Sequence, residues 1–228
     1  MSGLGAVLFD MDGTLVDTEV LWWRTTEEVA AGLGHALTDA DAPEVVGRAV
    51  EDTAAHLVRV SRAGDAEAVA AGAAGVVVAA ELTAGFFRRV EAGAPMRPGA
   101  RRLLAELEAQ GVPFALVSAS PRVVVDSVVG GSLAQVPFAF TLSADDTPRT
   151  KPHPDPYRAA AERLGLVPRA CVAVEDSPDG AASAEAAGCR VLVVPSLLPV
   201  PRSPRRAFAD SLEDVSAADL RGLGAVAD

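Results

Sequence analysis

Lysine is almost missing from this chain of 228 residues: of its 20 basic residues, only Lys151 is not an arginine. Cysteine is as scarce, with Cys171 and Cys189 alone. Each borders an apolar run, so small buried side chains are expected rather than redox or metal-binding groups. Positive charge is in deficit, with 20 basic against 31 acidic residues and a net charge of −11. That balance argues against a general nucleic-acid binder, which needs a basic footprint. It leaves room for a phosphorylated small substrate, because a bound cation and a few placed donors reverse the local sign. Long apolar runs are absent too. The stretch Val69–Ala80 is rich in Ala and Gly and shorter than the roughly 20 residues a membrane span needs. The first residues show no basic segment followed by an apolar one, so secretion is not expected. These absences together predict a soluble, cytoplasmic protein with no membrane or nucleic-acid partner. There is no internal repeat.

Hydrophobic residues make up 50% of the sequence, enough for a sizeable core in one large domain or two unequal ones. The most informative segment comes first. Ala6-Val7-Leu8-Phe9 reads as a buried strand, and Asp10-Met11-Asp12-Gly13-Thr14 follows it. In extended chain, residues i and i+2 share a face, so Asp10 and Asp12 can converge just past the strand. Gly13 permits a sharp turn there. Two carboxylates at that place suit a hard metal ion, a nucleophile, or both.

A helical block comes next. Asp17 or Thr18 caps a predicted helix over about Glu19–Leu33, closed by Gly34. Pro43 opens another, and Asp52–Arg62 and Ala66–Ala92 read as helical. No strand is predicted between Val16 and Met96. The pattern then alternates. A helix over Ala100–Gln110 precedes a strand over Val112–Val117, and a helix over Val123–Val129 precedes a short strand over Phe138–Leu142. A helix over Pro156–Leu164 leads to a strand over Cys171–Val174, and a helix over Ala181–Ala187 to a strand over Val191–Val194. Pro195–Pro204 is a proline-rich connection, and Ser211–Gly222 a final short helix. Alternation with fully apolar strands predicts an α/β fold: a Rossmann-like parallel sheet with helices on both faces and an inserted α-helical cap domain. The expected core is 1–16 and 97–228, the cap 17–96, with hinges at Val16–Asp17 and Met96–Pro98.

Three further polar clusters follow predicted strands. Ser118 follows Val112–Val117, Lys151 follows the Phe138–Leu142 region, and Glu175-Asp176 follows Cys171–Val174. Ligands in such sheets sit beyond the carboxyl ends of the strands. A nucleophile, a hydroxyl, a cation and metal-binding carboxylates on one edge are the groups phosphoryl transfer needs. A compact ammonium can touch Asp10 and a phosphate oxygen at once, where a planar guanidinium fits poorly.

These motifs make the chain resemble the haloacid dehalogenase superfamily, in the branch with a helical cap after the first strand. Asp10 through Glu19 is similar to that family's first motif and Ser118 to the second. Lys151-Pro152 is similar to the third, and Glu175-Asp176-Ser177-Pro178-Asp179-Gly180 to the fourth. The resemblance spans about the whole chain. It implies that Asp10 is a nucleophile forming an aspartyl-phosphate and that Asp12 is the general acid, then the base for water. It implies Mg²⁺ held by Asp10, the Asp12 carbonyl and Asp176, with Glu175 a direct or water-mediated ligand. Thr14 would steady the loop, Ser118 and the Ala119 amide would bind phosphoryl oxygens, and Lys151 would neutralise charge. For its role Asp12 must hold a proton at neutral pH, against a reference pKa of about 3.9.

Dehalogenating members lack the second aspartate, so Asp12 favours phosphoryl chemistry. Phosphonoacetaldehyde hydrolases and β-phosphoglucomutases use a cap lysine, and this cap has none. Trp22 stands about where the mutase histidine is expected. The resemblance therefore implies hydrolysis of a small phosphorylated metabolite of sugar-phosphate type. A sugar phosphomutase is the alternative, and a phosphate-sensing binding module that has lost turnover is a minor one. In the cap, Arg48 is a candidate for binding a second polar part of the substrate, with an exposed arginine as the alternative. Glu19, Trp22 and Trp23 lie near the hinge. His35 and His56 are expected to be structural, and His153 a solvent-facing loop residue. Asp179 is expected to be a loop or cap residue and Ser177 to bond locally. The expected assembly is a monomer or weak homodimer.

Overall fold

The computed structural model describes residues 4–46, 48, 50–61 and 68–225. Six strands form one parallel sheet: β1 (Ala6–Phe9), β2 (Phe114–Val117), β3 (Thr141–Leu142), β4 (Cys171–Glu175), β5 (Arg190–Val193) and β6 (Arg206–Phe208). Their order across the sheet is β3-β2-β1-β4-β5-β6. β1, β2 and β4 are buried at every position, as a sheet covered on both faces requires. The chain builds outward from β1 in both directions, so the crevice at its carboxyl end is the topological switch point of an open α/β sheet.

The chain divides into two compact units, one running to Asp17 and resuming at Pro95, the other Thr18–Ala94. The second unit holds α1 (Thr18–Gly32), α2 (Ala42–Val45), α3 (Val50–Ser61) and α4 (Ala68–Gly93). Ala30, Ala54, Leu57, Val58, Val78 and Leu82 form its core. Trp22 packs against that core, crosses Phe86 edge to face and donates its indole N–H to the Val45 carbonyl at 2.9 Å. Its place is thus explained by packing. The parts of Asp52–Arg62 and Ala66–Ala92 at 62–67 lie outside the described residues, as do Gly47 and Ala49 beside Arg48.

The sheet unit carries α5 (Ala100–Ala109), α6 (Arg122–Gly130), α7 (Asp155–Arg163), α8 (Pro178–Ala187) and α9 (Ala217–Ala225). Where the chain leaves and re-enters this unit, Asp17 N–H donates to Pro95 O at 2.8 Å and Arg97 N–H to Leu15 O at 2.9 Å. Three elements differ from the sequence expectation. β6 was not expected, because it is a partly buried edge strand of three residues whose Arg206 pairs with Glu185 instead of extending an apolar run. β3 is shorter than Phe138–Leu142 because only its last two residues enter the ladder. The expected helix over Ser211–Gly222 is two pieces. Ser211 caps a 3₁₀ turn at Leu212–Asp214, Val215 is extended, and α9 starts afresh behind Ser216, which bonds Asp219. Two serine caps in one window mark two helix starts.

The second unit also encloses a polar knot. Asp41 Oδ1 accepts His56 Nε2 at 2.8 Å and His35 Nε2 at 3.3 Å, while Oδ2 accepts the Thr38 amide and hydroxyl, both at 2.9 Å. Burial pushes the Asp41 carboxyl up, but the Thr38 amide, His56, the Thr38 hydroxyl and His35 together hold it well below the usual range. Both histidines are therefore structural. A depressed folded pKa contributes stability above the unfolded value of about 3.9, which is lost as pH falls through the folded value. Asp41→Ala is expected to cost about 2 kcal/mol at neutral pH. In urea denaturation, its gap from the wild type should shrink below about pH 4.

Candidate active site

The register of the central strands decides which carboxylates meet. Phe9 pairs with Val174 across β1 and β4, so Asp10 emerges beside Glu175 and Asp176. The Asp10 amide still donates to Val174 O at 3.0 Å, which keeps the residue on the sheet frame. The chain then turns through Gly13 at φ +80°, and a Cβ there would collide with the Asp176 carboxylate. Thr14 Oγ1 reaches Asp176 Oδ1 at 3.5 Å.

Lys151 approaches from the loop after β3, beside a cis bond to Pro152. Its Nζ donates to Asp10 Oδ1 at 2.6 Å and to Glu175 Oε1 at 2.7 Å, with only 4% of its side chain exposed. Burial lowers the lysine pKa, but the charges of Asp10 and Glu175 outweigh it and hold the ammonium protonated. Glu175 is fully buried. Its Oε1 also accepts the Tyr157 hydroxyl at 2.5 Å, and Ser177 Oγ lies 3.4 Å from Oε2. A Cβ at Gly180 would occupy the place of this carboxylate. Burial raises the Glu175 pKa despite the lysine. Burial, followed by the charges of Asp10 and Glu175, pushes Asp176 up to about 8. Ser196 Oγ donates to Asp176 Oδ2 at 2.5 Å.

Asp12 belongs to a second cluster. Its Oδ2 accepts Ser120 Oγ at 2.8 Å and Ser118 Oγ at 3.2 Å. Ser118 is itself fully buried, with its amide on Leu142 O and its Oγ accepting the Ser120 amide. Ala119 is exposed on the same loop. Arg48 lies in the Thr18–Ala94 unit, exposed, with Nε donating to Pro43 O at 2.9 Å. Glu19 stands in the first turn of α1, and Trp23 is half-buried on that helix. His153 pairs with Asp155 at 3.0 Å, and Asp179 sits in the first turn of α8, which Ser177 caps. Cys171 and Cys189 are buried free thiols. Burial pushes Cys171 up to about 11 and Cys189 higher still.

Sequence reasoning missed Tyr157, Ser120 and Ser196. Tyr157 carried a signal as plain as that of Lys151, since it is the only tyrosine. Ser196 follows β5 as the other site residues follow their strands, but the surrounding prolines gave the segment the look of a connector.

Asp10, Glu175 and Asp176 each offer a carboxylate oxygen within 4.8 Å of the others, and all three are buried. Asp10 Oδ2 is buried with no hydrogen-bond partner. Three buried carboxylates against one buried ammonium leave negative charge uncompensated where water cannot screen it. An all-carboxylate donor set with an orphaned oxygen fits a hard divalent cation such as Mg²⁺.

Residues 4–188 match the sequence profile of haloacid dehalogenase-like hydrolases. The chain belongs to that family. Hexitol phosphatase B of Escherichia coli strain K12 is 33% identical over 222 residues, covering 95% of this chain and 96% of that protein. Hexitol phosphatase A of the same strain is 35% identical over 199 residues, covering 86% and 85%. The crystal structure of CbbY from Rhodobacter sphaeroides in complex with phosphate superposes with a TM-score of 0.70 at 26% identity, covering 95% of this chain and 99% of that one. A second structure of that protein, the D10N mutant, holds xylulose-(1,5)-bisphosphate and superposes with a TM-score of 0.69 at 26% identity, covering 95% and 99%. The haloacid dehalogenase-like fold thus accounts for nearly the full length of the chain. Among the described residues, no helix is long and apolar enough to cross a membrane.

If the carboxylate triad holds the cation, added Mg²⁺ raises the melting temperature of this hydrolase by mass action. Asp176→Ala should abolish that rise. An equal rise in wild type and variant would place the cation elsewhere.

Proposed function

We propose that the protein is a Mg²⁺-dependent phosphatase that hydrolyses a small sugar- or polyol-phosphate monoester through an aspartyl-phosphate on Asp10. The observation that carries this reading is the state of Asp10. One oxygen is bound by the Lys151 ammonium, while the other is buried and free of hydrogen bonds. A carboxylate held by one oxygen and bare at the other is oriented for attack.

A carboxylate oxygen of Asp10 forms a bond to phosphorus as the ester P–O bond breaks. Asp12 gives its proton to the departing alkoxide oxygen. In the second half Asp12 takes a proton from water, whose oxygen attacks phosphorus, releases inorganic phosphate and frees Asp10. Ser118 and Ser120 hold Asp12 in direction through its Oδ2. With substrate bound, the Ser118 hydroxyl turns its one proton from Asp12 to a phosphoryl oxygen beside the Ala119 amide while Ser120 keeps Asp12, and Lys151 offsets the charge that develops between Asp10 and the phosphoryl group. Asp10, Asp176, Glu175 and the Asp12 carbonyl would hold Mg²⁺, which when bound supplies further charge neutralisation at the phosphoryl oxygens. Arg48 and the Thr18–Ala94 unit are proposed to set specificity as a cap. The names of the curated relatives, hexitol phosphatases A and B, support a polyol or sugar phosphate as the substrate.

Water as the final acceptor is favoured over a second sugar hydroxyl because residues 18–94 contain no lysine. Phosphate release from an aryl phosphate and from a panel of hexose, hexitol and pentulose phosphates with Mg²⁺ tests the reading. Conversion of a sugar 1-phosphate to its 6-phosphate without phosphate release would replace it with a mutase. Asp10→Asn should lower kcat at least about a thousandfold with the circular dichroism spectrum unchanged. Lys151→Arg keeps the charge but cannot fit between two carboxylates, and should cost about a hundredfold in kcat. Near-normal rates in either variant would overturn the role given to that residue.

A further inference from the structure

We propose that Tyr157 is a positioning residue for Lys151, acting through Glu175. The proposal rests on the reading of Asp10 and Lys151 as the working pair. Tyr157 sits in the first turn of α7, fully buried among core side chains. Its ring packs beneath the lysine, with Nζ 5.2 Å from the ring centroid. Its hydroxyl donates at 2.5 Å to the same Glu175 oxygen that accepts Lys151 Nζ at 2.7 Å. Two donors on one oxygen fix the rotation of the carboxylate. Its other oxygen is confined by the Gly180 backbone and faces Ser177 Oγ. Glu175 therefore has one orientation, and the ammonium it binds has one place, 2.6 Å from Asp10 Oδ1.

Packing alone does not account for the hydroxyl. Phenylalanine would fill the same space and present the same ring to the lysine ammonium. A tyrosine adds one neutral donor that occupies part of Glu175 and leaves more of the ammonium's field for Asp10 and the phosphoryl oxygens. Burial, followed by the charges of Glu175 and Asp10, raises the tyrosine pKa well above its usual value, so the group donates throughout the working pH range.

The sole tyrosine makes a single-site test possible. Tyr157→Phe should lower kcat for an aryl phosphate about tenfold while KM stays within about twofold. Protein grown with 3-fluorotyrosine keeps the hydroxyl and should keep activity within about threefold. Its one ¹⁹F resonance should move when Mg²⁺ and inorganic phosphate are added, and again in Lys151→Met. A folded Tyr157→Phe protein with wild-type kcat would overturn the proposal, as would a ¹⁹F resonance indifferent to both changes. If Tyr157→Phe does not fold, the resonance decides. If the wild type hydrolyses no phosphomonoester, the proposed function fails, and the response to Lys151→Met still tests the positioning contact.

Discussion

One ammonium in a place without water organises this protein. Lys151 lies between Asp10 and Glu175 because the β1–β4 register delivers both carboxylates to the same end of the sheet. An unpaired buried charge costs several kcal/mol, and the ammonium supplies both buried side chains with a partner. The contact that makes the core tolerable is therefore also the one that fixes the direction of Asp10, the residue proposed as the nucleophile. Stability and chemistry share one cation, and the surplus of acid around it makes the site fit for a second.

The rest of the site is shaped to let that arrangement close. Gly13 and Gly180 are positions where a methyl group would enter the space of Asp176 or Glu175. Hydroxyls from four different segments, at Thr14, Ser118, Tyr157 and Ser196, each take one carboxylate oxygen. Neutral donors fix acids in direction without adding charge, so the surplus of acid stays available to a cation.

Much of this was legible in the sequence because apolar strands announce themselves. β1, β2, β3, β4 and β5 are legible as apolar runs, and the polar residue that follows each of the first four is a site residue, whereas Ser196 behind β5 is not legible as one. Asp10, Ser118, Lys151 and Glu175-Asp176 were found in that way. β6 was not, because an edge strand with a paired arginine has no apolar run. The partnerships were also hidden. That Ser118 holds Asp12, or that Glu175 holds Lys151, depends on register and on loops that turn back over the sheet edge. Trp22, at about the position where a mutase histidine is expected, is a packing residue bonded to Val45. The Asp41 knot lay beyond reading because its partners are separated by turns rather than by a helical or strand period.

With its only lysine sealed between Asp10 and Glu175, the molecule presents a surface whose side-chain cations are guanidinium groups. Acylating reagents and amine-directed cross-linkers find no accessible lysine on it. Enzymatic acetylation, which silences ammonium groups elsewhere, has no exposed target. The surface arginines keep their charge at any pH the fold survives, so its electrostatic face toward other molecules is insensitive to lysine chemistry.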